Sequence, residues 1–272
     1  MAGYKKKRTR ELKHDRFRDT AMIMLERVTD RLEGKGRLIL YGIAGALVAF
    51  LLGYVVITWR YRHAEEAERA LGRGIKIATA SVSTSAPAET GELHFSSEQE
   101  RAQKAIEEFR KVEAKYGEPY RSEARFFIAT NLLVVDRPKG LIDLGTLSGS
   151  GNHDVATLAK FALAQAKEED HSLDEAAALY ADLAKQNDAV VTPEIASLRL
   201  ALVYEKQGKR KDAADLLFNI VEAARKAKDP DGRPATQSAA AREAATELQK
   251  VDAARYSQLT PEASAMELPL GS

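Results

Sequence analysis

The hydrophobic pattern changes along the chain, from one long apolar run to a series of short amphipathic segments. The run from Leu38 to Thr58 contains 21 residues and no charged side chain. A helix of that length, at about 1.5 Å per residue, matches the hydrocarbon thickness of a bilayer. Tyr41 and Trp59 lie near its ends, as aromatic residues do at membrane interfaces. We therefore predict one transmembrane helix over residues 37–59.

Two other interpretations of this run fit less well. The apolar part of a signal peptide is usually about 7–15 residues long and ends at a small-residue cleavage site. Here the run is longer and leads into Trp59, Arg60, Tyr61 and Arg62. A buried helix of a soluble core would normally carry a polar stripe, and this run has none. We therefore expect a retained signal-anchor.

The residues before the run are strongly basic, which sets the expected orientation. Residues 1–36 form a predicted cytoplasmic tail, because short basic segments stay on the cytoplasmic side. The long remainder would then lie outside, in the periplasm if the membrane is a bacterial inner membrane; a eukaryotic membrane is the other setting that the sequence allows. The basic residues are Lys5, Lys6, Lys7, Arg8, Arg10, Lys13, Arg16, Arg18, Arg27, Arg31, Lys35 and Arg37.

The tail also contains an amphipathic pattern. Its apolar residues recur at spacings of three and four, which places them on one face of a predicted helix. That face could lie on the anionic inner leaflet or dock on a cytoplasmic partner. A nucleic-acid role is disfavoured, because membrane topology already explains the basic cluster. The apolar residues are Phe17, Ala21, Met24, Leu25, Val28 and Leu32.

The segment after residue 60 shows an internal repeat. "LAQAKEEDHSLDEAAALYADL", from Leu163, aligns without a gap with "LALVYEKQGKRKDAADLLFNI", from Leu200, at an offset of 37 residues. Each unit predicts two helices joined by a polar turn, with His171 in one turn and Gly208 in the other. Small residues would let the helices approach, and large ones would fill the gaps. The predicted packing positions are Leu163, Ala164, Ala176, Tyr180, Leu183, Leu200, Ala201, Tyr204, Gly208, Ala213, Leu217 and Ile220.

Weaker helical patterns surround this repeat. They predict a juxtamembrane helix and a Ser/Thr/Pro-rich linker over residues 60–95, a helical domain over 96–255 and a disordered tail over 256–272. A helix from Ser238 is expected to cap the stack. The predicted fold class is all-α: one N-terminal transmembrane helix followed by an α-solenoid of helix hairpins.

Composition restricts the possible chemistry. The chain has no cysteine, which removes disulfides, thiolate metal sites and cysteine nucleophiles. No pair among its five histidines has the close helical spacing of a metal site. The formal net charge of +1 argues against nucleic acid as the partner of the whole chain. We therefore predict a protein that is not an enzyme and needs no cofactor or metal.

The predicted span carries small residues at a spacing of four, at Gly45, Ala49 and Gly53. They would share one face of the helix and could let another membrane helix approach closely, including a second copy of this one. Glycine and alanine are also common in membrane helices that have no partner. The face is therefore either a helix-packing surface or part of a simple tether.

The repeat resembles the tetratricopeptide repeat in Leu200, Ala201, Tyr204, Gly208, Ala213, Leu217 and Ile220. The whole organisation is similar to the YfgM-like bacterial proteins, in the Trp59-Arg60-Tyr61 exit and the "YGEPY" stretch after Phe109. That resemblance implies an ancillary subunit of the Sec translocon that binds periplasmic chaperones and emerging polypeptides. The competing prediction is a structural scaffold or assembly subunit of another cell-envelope, respiratory or photosynthetic membrane complex.

Overall fold

The computed structural model describes residues 36–83 and 93–261. Side chains are not described for residues 36–44 and 55–62. The described residues are mostly helical, which confirms the predicted all-α class. The predicted cytoplasmic helix lies outside the described residues, as does the tail from residue 262. The helices are α1 Gly36–Ala78, α2 Glu98–Lys115, α3 Tyr120–Val135, α4 Arg137–Leu147, α5 His153–Glu169, α6 Leu173–Leu183, α7 Pro193–Lys206, α8 Arg210–Lys226, α9 Ala239–Val251 and α10 Ala253–Tyr256.

The chain divides into two compact units between Glu65 and Glu66. In the first unit, every described side chain from 45 to 54 is exposed. Among the residues that the structure describes, no helix is long and apolar enough to cross a membrane.

The second unit begins earlier than the predicted domain boundary at residue 96. Ala67, Ala70 and Leu71 of α1 are buried in one cluster with residues of α2 and α3, including Ala105 and Phe109. The residues from Glu66 to Ala78 are therefore part of the helical domain and not a separate stalk. The apolar spacing of this segment gives it a face that α2 covers.

The two ends of the predicted linker are held together by a pair of two-residue strands. β1, Ser81–Val82, pairs in parallel with β2, His94–Phe95. The Ser81 hydroxyl lies 2.7 Å from His94 Nδ1, and Phe95 is buried. This pairing holds residues 81–82 beside residues 94–95.

From α2 to α10 each helix packs against the next one in the chain. Further contacts join α3 with α5 and α7 with α9. Polar residues before several helices accept hydrogen bonds from free backbone amides of the first turn, as N-caps do. They are Ser97 before α2, Asp136 before α4, Asn152 before α5, Thr192 before α7 and Ser238 before α9.

Arg137 connects the start of α4 to the end of α5. Its Nε donates to Asp170 Oδ1 at 2.7 Å, and its Nη2 donates to the Ala166 carbonyl oxygen at 2.9 Å and to Glu169 Oε2 at 3.0 Å. A cation at this position adds a hydrogen bond to a carbonyl group that also accepts from the Asp170 amide, and it complements the negative end of the α5 dipole.

The described residues continue past the start of the predicted tail at Tyr256, as far as Pro261. Leu259 is buried in the cluster formed by α7, α8 and α9. The Thr260 amide and hydroxyl donate to the two carboxylate oxygens of Glu222, at 3.1 and 2.8 Å. Arg225 Nη1 donates to the Thr260 carbonyl oxygen at 2.6 Å. One apolar side chain and these bonds to α8 hold the segment in place.

We expect acid to weaken the attachment of this segment to α8, because Glu222 becomes protonated. The ion pair with Lys226 and the hydrogen bonds from Thr260 lower the pKa of Glu222 to about 2 from 4.5. Because the folded pKa lies below the unfolded one, this stabilisation is complete above about pH 4.5 and is lost as the pH falls towards 2. We expect wild type to lose more stability than Glu222→Gln over that range, as measured by chemical unfolding at successive pH values. Parallel pH profiles for the two proteins would contradict the assignment.

Candidate protein-binding cleft

In each repeat unit the two helices are joined by the same type of turn. In the first, the Ser172 amide donates to the Lys167 carbonyl at 2.9 Å, and the His171 amide to the Glu168 carbonyl at 3.1 Å. In the second, Lys209 donates to Tyr204 at 2.8 Å and Gly208 to Glu205 at 2.9 Å. Both patterns are Schellman caps, which need a left-handed residue just after the helix. His171, at φ 59°, and Gly208, at φ 76°, supply it, 37 residues apart.

Substitutions at these two turns should have opposite effects. A residue with a Cβ is strained in the left-handed region by about 1–2 kcal/mol, whereas glycine is not. We expect His171→Gly to raise the free energy of unfolding by about 0.5–1 kcal/mol and Gly208→Ala to lower it by about 1 kcal/mol. Nothing lies within 4 Å of a Cβ built at Gly208, so the backbone angle alone decides the outcome there. Urea unfolding of the full chain measures both, and effects of the same sign would contradict the shared turn.

The predicted packing positions lie mostly in the interior of the domain. Leu163 and Tyr204 are partly buried, and Gly208 is exposed in its turn. The fully buried positions are Ala164, Ala176, Tyr180, Leu183, Leu200, Ala201, Ala213, Leu217 and Ile220. These residues form the packing between the helices.

A buried tyrosine joins three helices of the repeat pair. Tyr180 Oη donates to Glu168 Oε2 at 3.2 Å, and Lys206 Nζ lies 2.6 Å from Glu168 Oε1. Burial raises the pKa of Tyr180, and the neighbouring Glu168 carboxylate raises it further. The phenol therefore keeps its proton, and the three side chains connect α6, α5 and α7.

Asp188, which sequence analysis did not single out, holds the connection between α6 and α7 against α5. Its Oδ2 accepts from the Thr157 hydroxyl at 2.7 Å and lies 2.8 Å from His153 Nε2, and its Oδ1 accepts from the Val190 amide at 2.7 Å. The Val190 and Thr157 hydrogen bonds lower the pKa of Asp188. The hydroxyl donates to the carboxylate and not to the histidine, so this cluster lacks the arrangement that activates a nucleophile. It is a structural clamp.

Helices α2, α3 and α4 enclose a polar cleft of about 350 Å³, called here the α2–α4 cleft. Ile128 and Leu147 are its buried apolar residues. Arg125 Nε lies 2.8 Å from Glu113 Oε1, which pairs those two charges. The residues that line the cleft are Arg110, Glu113, Arg125, Ile128, Lys139, Asp143, Thr146 and Leu147.

A second, more apolar groove lies between α7 and α8 and has a volume of about 480 Å³. Pro193, Glu194 and Ser197 form one side of it, and Leu216 and Ile220 lie on the other. Ile195, on α7, is 38 % exposed. Both this groove and the α2–α4 cleft lie between helices, which is where helical proteins commonly place binding sites.

Among the described residues, no group of three or more acidic, histidine or cysteine side chains is arranged to hold a metal ion. Gly45, Ala49 and Gly53 lie on α1, and nothing is within 4 Å of a Cβ built at Gly45 or Gly53.

Comparison of the chain with protein-family models, curated proteins and solved structures gives no match.

Proposed function

We propose that this protein is a non-enzymatic, membrane-anchored module that binds other proteins through a tetratricopeptide-like α-solenoid. The observation that carries the proposal is the pair of matching helix hairpins, with the same cap at His171 and Gly208. A second support is the way in which successive helices pack on their neighbours from α2 onwards. Stacked hairpins of this kind present extended surfaces on which proteins or peptides can bind.

The proposed anchor is the uncharged run from Leu38 to Thr58, which is longer than the part whose side chains are described. In that part, the large apolar side chains are between 55 % and 72 % exposed, on all sides of the helix. So large an apolar surface needs a covering, and lipid is the covering that fits a run of this length. The exposed apolar residues are Leu47, Val48, Phe50, Leu51 and Leu52, with Tyr54 beside them.

The proposed location is a bacterial inner membrane, with the basic tail in the cytoplasm and the helical domain in the periplasm. The proposed partners are translocon subunits, periplasmic chaperones and emerging polypeptides, as the likeness to the YfgM-like proteins implies. The small residues Gly45, Ala49 and Gly53 would let the anchor pack against a partner's helix or a second copy of this chain.

The second candidate function is a scaffold or assembly subunit of another membrane complex. It shares the anchor and the helical domain, and it differs in the partner. The observation that favours it is the number of contacts that fasten the domain together, among them the Arg137 and Asp188 clamps. Contacts of this kind hold the domain in one shape, which suits permanent assembly in a complex.

Co-purification of the full chain in mild detergent tests both functions. Translocon and chaperone subunits in the eluate would support the first, and one stoichiometric membrane complex would support the second. The matched control is the same anchor without the helical domain, residues 66–272, because partners that it retains are bound by the membrane segment alone. An eluate that contains only the tagged chain would contradict the proposal.

A further inference from the structure

We propose that the α2–α4 cleft binds an acidic peptide segment that also carries an apolar side chain, contributed by a protein partner. The inference rests on the proposed protein-binding function and names the chemistry of the segment that is bound. It is carried by the charged and apolar residues that line the cleft and by one exposed isoleucine on the same face of α4 as two of them.

The charges come from three helices. Arg110 lies on α2, Arg125 on α3 and Lys139 on α4. Glu113 pairs with Arg125 at 2.8 Å, which leaves that charge partly compensated. Within the part of the chain that the structure describes, the side chains of Arg110 and Lys139 have no hydrogen bond or ion pair. Two cations without partners that line the same cleft, one on α2 and one on α4, favour an anionic ligand there.

Asp143 also lines the cleft, one turn after Lys139 on α4. A ligand carboxylate beside Asp143 would be repelled, so acidic groups are favoured towards Arg110 and Lys139. The cleft therefore selects the position of negative charge along a bound segment and would not accept a uniform polyanion equally well.

The apolar part of the ligand is indicated by α4. Lys139, Ile142 and Thr146 recur at spacings of three and four and share one face of that helix. The Ile142 side chain is 67 % exposed, although it is large and apolar, and it lies on the same helix face as Lys139 and Thr146, which line the cleft. A peptide that lies along this face would cover Ile142 and place its carboxylates near the two free cations. Burial of that side chain would add to the affinity.

The test measures binding of a short fluorescein-labelled peptide, built of glutamate and leucine, to the full chain in mild detergent. The comparison peptide carries glutamine in place of every glutamate. The test variant combines Arg110→Ala and Lys139→Ala. The matched control combines Lys185→Ala and Lys211→Ala, which removes the same charge from exposed positions outside the cleft. Fluorescence polarisation gives each Kd.

The inference predicts that the acidic peptide binds wild type and that the glutamine peptide binds about tenfold more weakly. The Arg110/Lys139 variant should lose about tenfold in affinity, which corresponds to about 1.4 kcal/mol, and the control variant should bind as wild type does. Because Arg110 and Lys139 are exposed, unfolding midpoints should not change. If the alanine variant is unstable, the double glutamine variant replaces it and should show the same loss.

Failure to bind the acidic peptide, or an equal loss in both double variants, would overturn the inference, since an equal loss indicates general charge attraction only. The proposed function fails separately. If partners co-purify with the chain although the acidic peptide does not bind to it, the chain still binds proteins but does so through another surface.

Discussion

Gly140→Ala should lower the free energy of unfolding by about 2 kcal/mol. A Cβ at Gly140 would lie 2.7 Å from the Leu133 backbone nitrogen and 3.0 Å from the Ala129 carbonyl oxygen. Backbone atoms of α3 cannot turn aside as a side chain can. The clash therefore costs about 3 kcal/mol, at the upper end of overpacking penalties, and the helix propensity of alanine returns up to about 1 kcal/mol.

The matched control for this substitution is Gly145→Ala, on the same helix. Nothing lies within 4 Å of a Cβ built at Gly145, so only helix propensity acts there. We expect that variant to gain about 0.5–1 kcal/mol. Urea unfolding followed by circular dichroism measures both. Equal effects of the two substitutions would contradict the close approach of α4 to α3.

Gly74→Ala should destabilise the protein by about 1–2 kcal/mol, because the first helix touches the core at this residue. A Cβ at Gly74 would lie 2.5 Å from Phe109 Cε1. Phe109 is fully buried, and its ring stacks on Phe127 with the centroids 4.9 Å apart, so it cannot move away freely. The substitution would have to push that pair of rings apart.

Gly72→Ala is the control for this contact, two residues earlier on α1. A Cβ there meets nothing within 4 Å, and the variant should be more stable by about 0.5–1 kcal/mol. If Gly74→Ala were also stabilising in the same unfolding experiment, the segment after Glu66 would not belong to the helical core as described.

The helices and their turns could be predicted from local pattern. Apolar spacing and capping residues are properties of neighbouring positions, so the helices of the repeat pair, α5 to α8, and the helix α9 lie near their predicted places. The alignment of His171 with Gly208 identified the two turns, although a histidine in the left-handed region cannot be read from its own residue type. The turn at His171 could be identified because His171 aligns with Gly208, and glycine is the usual residue at this position of a helix cap.

The contacts that fix the domain could not be predicted in the same way. The sequence around each glycine does not show that a Cβ at Gly74 or Gly140 would collide with another helix. It also does not show that a Cβ at Gly72 or Gly145 would meet nothing. The difference depends on where the neighbouring helix lies. The same holds for the clamp at Asp188. Its partners His153 and Thr157 precede it by more than 30 residues, and no local spacing connects them.

The cleft depends on the same long-range packing. Arg110, Arg125 and Lys139 read in sequence as separate solvated charges, one on each of three helices. Only the packing of α2, α3 and α4 places them around one cavity. Helical periodicity in the sequence therefore predicts the helices, whereas the proposed binding cleft depends on how consecutive helices pack.

The central claim is that a membrane anchor holds the helical domain outside the cytoplasm, and a topology reporter tests it most directly. An enzyme that is active only outside the cytoplasm is fused after Ser272, and the control is the same fusion without residues 38–58. We expect the full fusion to be active and the control inactive at equal expression. An inactive full fusion with intact expression, or an equally active control, would contradict the claim.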